Sequence, residues 1–513
     1  MKKYISLILI SLLFLTSCGK KAVDPIDDNY RVFYEIFVGS FSDSDNDGVG
    51  DLQGIINRLD YLNDGNINSE KSLGIQGIWL TPIFESPSYH KYDVVDYYTI
   101  DKDFGTQDDL DRLIEECHKR NIIVILDMVI NHTSGLNPWF KEFYKAHQNN
   151  DTSNYYYDFY TYDVQFEAEA GKSWCDIEGA GEVYECNFSY DMPELNFDNE
   201  NVRNEVLNIA KFYLDKGIDG FRFDAAKYVY FNDNGKSVNF WNWYTDKLRE
   251  YKEDIYLVGE VWSSENEINK YYEAMNCFNF DMAQVKGIIA DAARGSNIND
   301  FTDYVVSYQN RIKDINPDAM AIPFISNHDM DRSSGYLSVA DGKAYMAANL
   351  YLLSPGSPFI YYGEEIGMKG SRGSANTDAN RRLAMLWGDN DTISNPEGSD
   401  YDNNNQVNGT VSEQLKDKDS LLNYYSKVIS IRNKYPQIAR GTYKVLNLNN
   451  SHLGGFEIEY NGETSYLIHN NSPDEITVDT DIFNSISDSI GLNNASLKNN
   501  QLTVGGYTSV ILK

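Results

Sequence analysis

"IIVILDMVINH", residues 122 to 132, carries two messages. Its first half is an unbroken, β-branched apolar run, as a strand buried on both faces requires, and its end turns polar at Asp127, Asn131 and His132. The same form recurs on either side. "VFYEIFVGSF" (32–41) and "IQGIWLTPIF" (75–84) precede it, and "IDGFRFDAA" (218–226), "IYLVGEVW" (255–262), "FNFDMA" (278–283), "AMAIPFISNHD" (319–329) and "SPFIYYGEEIGM" (357–368) follow. Helical patterns separate most of them. Leu52, Ile55, Ile56, Leu59 and Leu62 fall at helical spacing, and Thr106 is placed to cap a helix whose inner face is Leu110, Leu113, Ile114 and Cys117. Apolar strands alternating with helices in this number predict an α/β fold of the (β/α)8 TIM-barrel type, with an open sheet as the competing arrangement until the polar strand ends are weighed.

Those ends carry Asp127, Asn131 and His132, then Arg222 and Asp224, then Glu260, then His328 and Asp329. In a parallel barrel they converge on one mouth. Singly, each has an ordinary structural reading: Arg222 and Asp224, two apart on a strand, could be an internal ion pair, and either histidine could be a bonded core residue. The irregular stretch 133–200, rich in Tyr, Asn and Asp and including "NYYYDFYTYD", is too long for a connection and predicts an inserted subdomain after the third strand. From residue 436 the pattern becomes short alternating runs such as "GFEIEY" and "TSYLIH", which predict a C-terminal antiparallel β-sandwich over 436–513. The barrel is thereby assigned to 30–132 and 201–435.

The chain has 513 residues, 42% of them hydrophobic, enough for a large core. With 77 acidic against 44 basic residues the net charge is −33, a field that repels phosphate backbones and excludes nucleic acid as a partner while leaving a neutral substrate acceptable. At the N-terminus Lys2 and Lys3 precede an apolar run from Tyr4 to Leu15 and then "LTSCG". That run is too short to span a membrane comfortably and has the flanks of a signal peptide. It resembles a bacterial lipoprotein box, with a signal peptide over 1–17, a lipidated Cys18 and a tether over 18–29. The expectation is an exported chain, a monomer, attached to a bacterial membrane through lipid alone. Cys175 and Cys186 are close enough in sequence to pair in an oxidising compartment, and sequence leaves that open.

In combination the strand ends resemble the α-amylase family of glycoside hydrolases, family thirteen. "DMVINH" (127–132), "GFRFDAAKY" (220–228), "GEVW" (259–262) and "FISNHD" (324–329) match its four regions in order and spacing, and "MPELN" (192–196) resembles the extra segment of its intermediate group. The resemblance implies retaining hydrolysis with Asp224 as nucleophile, Glu260 as acid/base and Asp329 as the carboxylate that stabilises the transition state. It further implies that Tyr92, in "SYHKYDVVDYY", stacks on the sugar and that His132, Arg222, Lys227 and His328 bind substrate or orient the catalytic groups. Arg222 is expected to pair with Asp224. Val261 and Trp262 are expected to give Glu260 an apolar surround in which it keeps its proton. The family's common Lys-His is here Lys227-Tyr228, so the leaving-group contact differs.

"DSDNDGVGDL" (43–52) looks like a calcium loop of the helix-loop-helix kind, with Asp43, Asp45 and Asp47 at alternate positions and Gly48 at the turn, but Gly54 stands where such loops need glutamate. It also resembles a metal loop found after the first barrel strand in the oligo-1,6-glucosidase and intermediate branches. That likeness implies a structural Ca2+, or Mg2+, on Asp43, Asp45, Asp47, the Val49 carbonyl and Asp51. Asn131 matches a calcium ligand of many amylases, and its metal role stays open. The expected activity is an extracytoplasmic endo-α-1,4-glucan hydrolase acting on starch, glycogen or maltooligosaccharides. The alternatives are a neopullulanase or oligo-1,6-glucosidase-like hydrolase, a transglycosylase on the same scaffold, and a non-catalytic carbohydrate-binding protein, which the presence of all three acids disfavours.

Overall fold

The computed structural model describes residues 26–67, 69 and 71–513. The signal peptide and Cys18 lie outside the described residues. Parallel strands Phe33–Ile36, Gly77–Leu80, Ile123–Met128, Gly220–Phe223, Tyr256–Gly259 and Asn276–Cys277 follow one another in space, and Phe359–Tyr361 pairs back onto the first. The remaining gap is filled by residues 321–324. Phe278 and Ile322 form a parallel bridge, the Ser357 N–H donates to the Ala321 carbonyl (2.8 Å), and the Phe359 N–H donates to the Pro323 carbonyl (3.0 Å). The barrel is therefore closed, with 321–324 as its seventh stave. Pro323 has no N–H to give, which keeps this stave from forming a regular ladder.

The ladders are shorter than the apolar runs. In "VFYEIFVGSF" pairing stops at Ile36 and a 3-10 turn takes over at Val38–Ser40, with Phe37 and Phe41 still buried. "FNFDMA" is displaced: the sixth stave is Asn276–Cys277, extended only by the bridge at Phe278, and Asn279 to Ala283 form turns. Burial made these residues apolar, whether or not they pair.

Period-two alternation divides the interior into layers. Phe33, Tyr256 and Phe359 form an aromatic floor, Phe33 stacked on Phe359 at 4.5 Å and 4°. Gly77 makes room for it, since a Cβ there would lie 2.5 Å from the Phe33 ring. The next inward positions, on the first four staves, are Glu35, Trp79, Asp127 and Arg222, all buried. The fold thus sets a polar layer on an aromatic one.

Helices Leu52–Leu62 and Gln107–Lys119 cover the outside, the second starting in a capping box between Thr106 and Asp109 and burying Leu110, Leu113, Ile114 and Cys117. Within 133–200, helix Pro138–Gln148 packs on a three-stranded sheet in which a Cys175–Cys186 disulfide joins Trp174–Ile177 to the end of Glu182–Glu185. At the C-terminus a five-stranded and a three-stranded antiparallel sheet enclose Leu453, Ile468, Leu502, Val504 and Val510, forming the sandwich. Among the described residues no helix is long and apolar enough to cross a membrane.

Candidate active site

One guanidinium organises the mouth. Arg222 is fully buried, and its Nη1 donates to Asp127 Oδ1 (2.7 Å), Asp127 Oδ2 (2.8 Å) and Asp224 Oδ1 (2.8 Å), while Nη2 donates to Glu260 Oε2. The Trp79 ring lies 4.9 Å from it and screens it from the floor. A buried cation is tolerable when carboxylates take up its charge, as they do here at both terminal nitrogens, although Nε has no partner among the described residues. Burial pushes the Asp127 carboxyl up, Arg222 draws it down, and the neighbouring Asp224 charge adds to the rise.

The contact to Glu260 corrects the expectation of an apolar surround. Tyr256, Val258 and Glu260 are alternate inward positions, so Glu260 meets Arg222, whereas Val261 packs into the outer core and Trp262 is 41% exposed and stacked on Phe280 (4.9 Å, 15°). The turn after Asp224 tightens the arrangement. Ala225 adopts a left-handed conformation (φ 40°, ψ 47°), which costs a residue with a Cβ about 1–2 kcal/mol, and the Ala226 N–H donates to the Glu260 carbonyl (2.8 Å).

Opposite, Tyr92 lies nearly parallel to His328 (5.4 Å, 12°); its hydroxyl donates to Asp127 Oδ2 (2.9 Å) and lies 2.7 Å from His328 Nε2. His328 Nδ1 is 2.6 Å from Glu35 Oε1, and Nε2 is 3.1 Å from Asp329 Oδ2. Arg382 Nη2 donates to Asp329 Oδ1 (2.7 Å). Burial works against the Asp329 charge, but His328 and Arg382 outweigh it and hold the carboxyl below the usual range. His132 is buried with Nε2 facing the Tyr92 carbonyl (3.1 Å), and its ring is 5.0 Å from the 43% exposed Phe188, which also meets Tyr228 at 4.7 Å. Lys227 Nζ donates to the Trp262 carbonyl (2.9 Å).

The structure thus gathers Tyr92, His132, Arg222, Asp224, Lys227, Glu260, His328 and Asp329 about one mouth. Sequence reasoning missed Glu35, Arg382 and Phe188. Glu35 had a readable signal, a charge inside an otherwise apolar strand; Arg382 and Phe188 had none. Asn131 is buried and neither of its amide atoms has a hydrogen-bond partner among the described residues.

The acidic loop is only partly as expected. Carboxylate oxygens of Asp43, Asp45 and Asp51 come within 4.8 Å of one another, a hard-oxygen set that suits Ca2+ or Mg2+. Asp47 is not among them; its Oδ1 accepts from the Val49 N–H (2.8 Å), much as Asp43 and Asp45 accept from other backbone N–H groups of the loop. Asp51 also caps the first helix, accepting from the Gly54 N–H (2.7 Å).

Residues 35–441 match the family described as "Alpha amylase, catalytic domain". "Alpha-amylase 3" of Dictyoglomus thermophilum is 35% identical over 491 residues, covering 94% of this chain and 93% of that protein. A "4-alpha-glucanotransferase" of Thermotoga neapolitana is 30% identical over 457 residues, covering 86% of this chain and 96% of that one. Among solved structures, Eubacterium rectale Amy13B superposes with a TM-score of 0.88 at 38% identity, over 95% of this chain and 96% of the other.

Proposed function

Since the chain belongs to the α-amylase family of glycoside hydrolases, we propose that it hydrolyses internal α-1,4 bonds of starch, glycogen or maltooligosaccharides with retention of configuration. The observation that carries this reading is the shared guanidinium: Asp224 and Glu260 bond to the two terminal nitrogens of Arg222, which keeps their carboxyl groups close. Retaining hydrolysis places its two carboxyl groups about 5 Å apart, whereas inversion needs a wider gap that admits water.

Asp224 attacks the anomeric carbon while Glu260 gives its proton to the leaving glycosidic oxygen, so the sugar–oxygen bond breaks as the ester bond to Asp224 forms. Glu260, now a carboxylate, takes a proton from water, whose oxygen attacks the same carbon and releases Asp224. Asp329, held by His328 and Arg382, faces the positive charge that develops on the sugar. Tyr92, His132 and Lys227 contact the substrate about this centre, and the exposed rings of Trp262 and Phe188 offer apolar faces for further glucosyl units.

The glucanotransferase relative supports a second reading, transfer of the glycosyl ester to another sugar in place of water, and a neopullulanase or oligo-1,6-glucosidase-like specificity uses the same machinery. The product profile on amylose, pullulan and panose separates them. Hydrolysis of internal α-1,4 bonds gives short maltooligosaccharides from amylose and leaves panose intact; longer products from a short donor indicate transfer, and cleavage of panose at its α-1,6 bond sinks the amylase assignment. Asp43, Asp45 and Asp51 would hold a structural Ca2+ that neutralises their mutual repulsion. The N-terminal pattern supports export and lipid attachment at Cys18.

A further inference from the structure

Glu35 lies on the first stave, 1% exposed, in a strand whose other residues are apolar. Burying a carboxylate costs several kcal/mol unless it is paired. Its Oε1 has two donors among the described residues, and both belong to His328: the ring Nδ1 at 2.6 Å and the backbone N–H at 3.3 Å. Glu35 is committed to one partner.

Both ring nitrogens of that partner face oxygen acceptors. The Tyr92 hydroxyl lies 2.7 Å from His328 Nε2 and 2.9 Å from Asp127 Oδ2, and with its single hydrogen given to Asp127 it accepts from Nε2. Asp329 Oδ2 is 3.1 Å from the same nitrogen, and Glu35 Oε1 is 2.6 Å from Nδ1. A hydrogen on each nitrogen, the imidazolium form, serves both carboxylates. We infer that Glu35 is a positioning residue, which secures His328 in this doubly protonated form and so fixes the Asp329 carboxylate that faces the reacting sugar. The inference rests on the catalytic reading of the site given above.

The surroundings agree. Burial alone would lower the His328 pKa, but Asp329 and Glu35 more than reverse this and raise it to about 9. Facing it from other elements are Glu35 on the first stave, Asp127 on the third and Tyr92 after the second, with Asp329 in its own segment, while Arg382 binds its carbonyl (3.1 Å) and Arg222 is the nearest cation across Asp127. The rings of Trp79 and Phe37 flank it. Without Glu35, Nδ1 loses its anionic acceptor, the neutral ring becomes accessible near neutral pH, and a neutral ring with its hydrogen on Nδ1 presents a lone pair to Asp329.

The test is Glu35→Gln, which keeps shape and an acceptor oxygen but removes the charge. The chain has 7 histidines, so a histidine-labelled protein, with His328→Asn to assign the resonance, yields the titration of this ring directly. His328 is expected to titrate near 9 in the wild type and at least about one pH unit lower in Glu35→Gln. On soluble starch kcat should fall about tenfold or more with KM within about twofold, and the alkaline limb of kcat should move down with the ring, which a purely structural role does not require. Glu35→Asp keeps the charge with a shorter reach: His328 should stay protonated near neutral pH while kcat still falls. That variant decides the matter if Glu35→Gln does not fold. An unchanged His328 titration in Glu35→Gln, or full kcat in either variant, overturns the proposal. If the wild type releases no sugar from starch, the amylase reading falls, and the titration still decides the pairing of Glu35.

Discussion

Replacing Glu364 by glutamine should flatten the pH dependence of stability on the alkaline side. Glu364 follows the eighth stave and is 3% exposed; its Oε1 accepts from the Tyr351 hydroxyl (2.5 Å) and more weakly from Tyr425 (3.3 Å), and its Oε2 accepts from Ser326 (2.9 Å). Burial pushes this carboxyl from 4.5 up to about 8; the hydroxyl donors pull against it, and the adjacent Glu365 adds to the rise. Because the folded-state value lies above the unfolded one, the contribution to stability is present in full below 4.5, declines as pH rises, and is gone above about 8. A displacement of this size corresponds to roughly 5 kcal/mol, of which about 3 kcal/mol falls between about pH 5.5 and about pH 8.5. Since whole domains are stable by only about 5–15 kcal/mol, that is a large share. Glutamine has nearly the same shape and does not titrate. The assay is urea unfolding of both proteins, followed by tryptophan fluorescence at several pH values across that window; the difference between the curves isolates one carboxyl from all other titrating groups. The wild type should lose stability relative to Glu364→Gln by about 3 kcal/mol on going to the alkaline end. Two curves that stay parallel would refute the reasoning.

Asp224→Asn and Glu260→Gln should each lower kcat on starch by at least about a thousandfold with the melting temperature nearly unchanged, and azide should restore part of the turnover of one of them; near-normal activity in either removes the catalytic assignment. Calcium should raise the melting temperature of the wild type and of Asp47→Ala but not of Asp45→Ala, because Asp47 is outside the convergent set; a calcium response that survives in Asp45→Ala places the ion elsewhere. Labelled palmitate should enter the wild type and not Cys18→Ser, and a soluble secreted wild type cut at another residue contradicts lipid attachment.

The barrel was legible because the third, fourth, fifth and seventh staves end where apolar residues give way to a charge or an imidazole, and Arg222, Asp224, Glu260, His328 and Asp329 share that position. Stave lengths were not legible. Phe37 and Phe41 are as buried as paired residues, so hydropathy does not show that pairing stops at Ile36, and the irregular seventh stave is visible only through the bonds about Pro323. Within the site, Glu35 falls at the third residue of a strand, inside an apolar run that continues to Val38, and Arg382 comes from a loop with no period to place it. Glu260 was located correctly and its neighbours were not, because sequence adjacency to Val261 and Trp262 mattered less than inward alternation with Tyr256 and Val258. In the acidic loop Asp43, Asp45 and Asp47 are indistinguishable by type, and which of their carboxylates converge with Asp51 depends on the course of the turn, which has no sequence signature.

The Cys175–Cys186 bond sits at the root of the hairpin that continues into Phe188, the ring lying against His132 and Tyr228. Closing a loop of sequence separation 11 stabilises this hairpin by roughly 3 kcal/mol in the chain-entropy picture, and only where thiols oxidise. Cys117 and Cys277 are buried with their thiols pushed well up by burial, so a bulky alkylating reagent passes over them. Its uptake at the partly exposed Cys175 of a reduced hairpin then makes that hairpin a recorder of redox history: the folded protein carries a mark of the compartment in which it matured, written beside His132 and Tyr228.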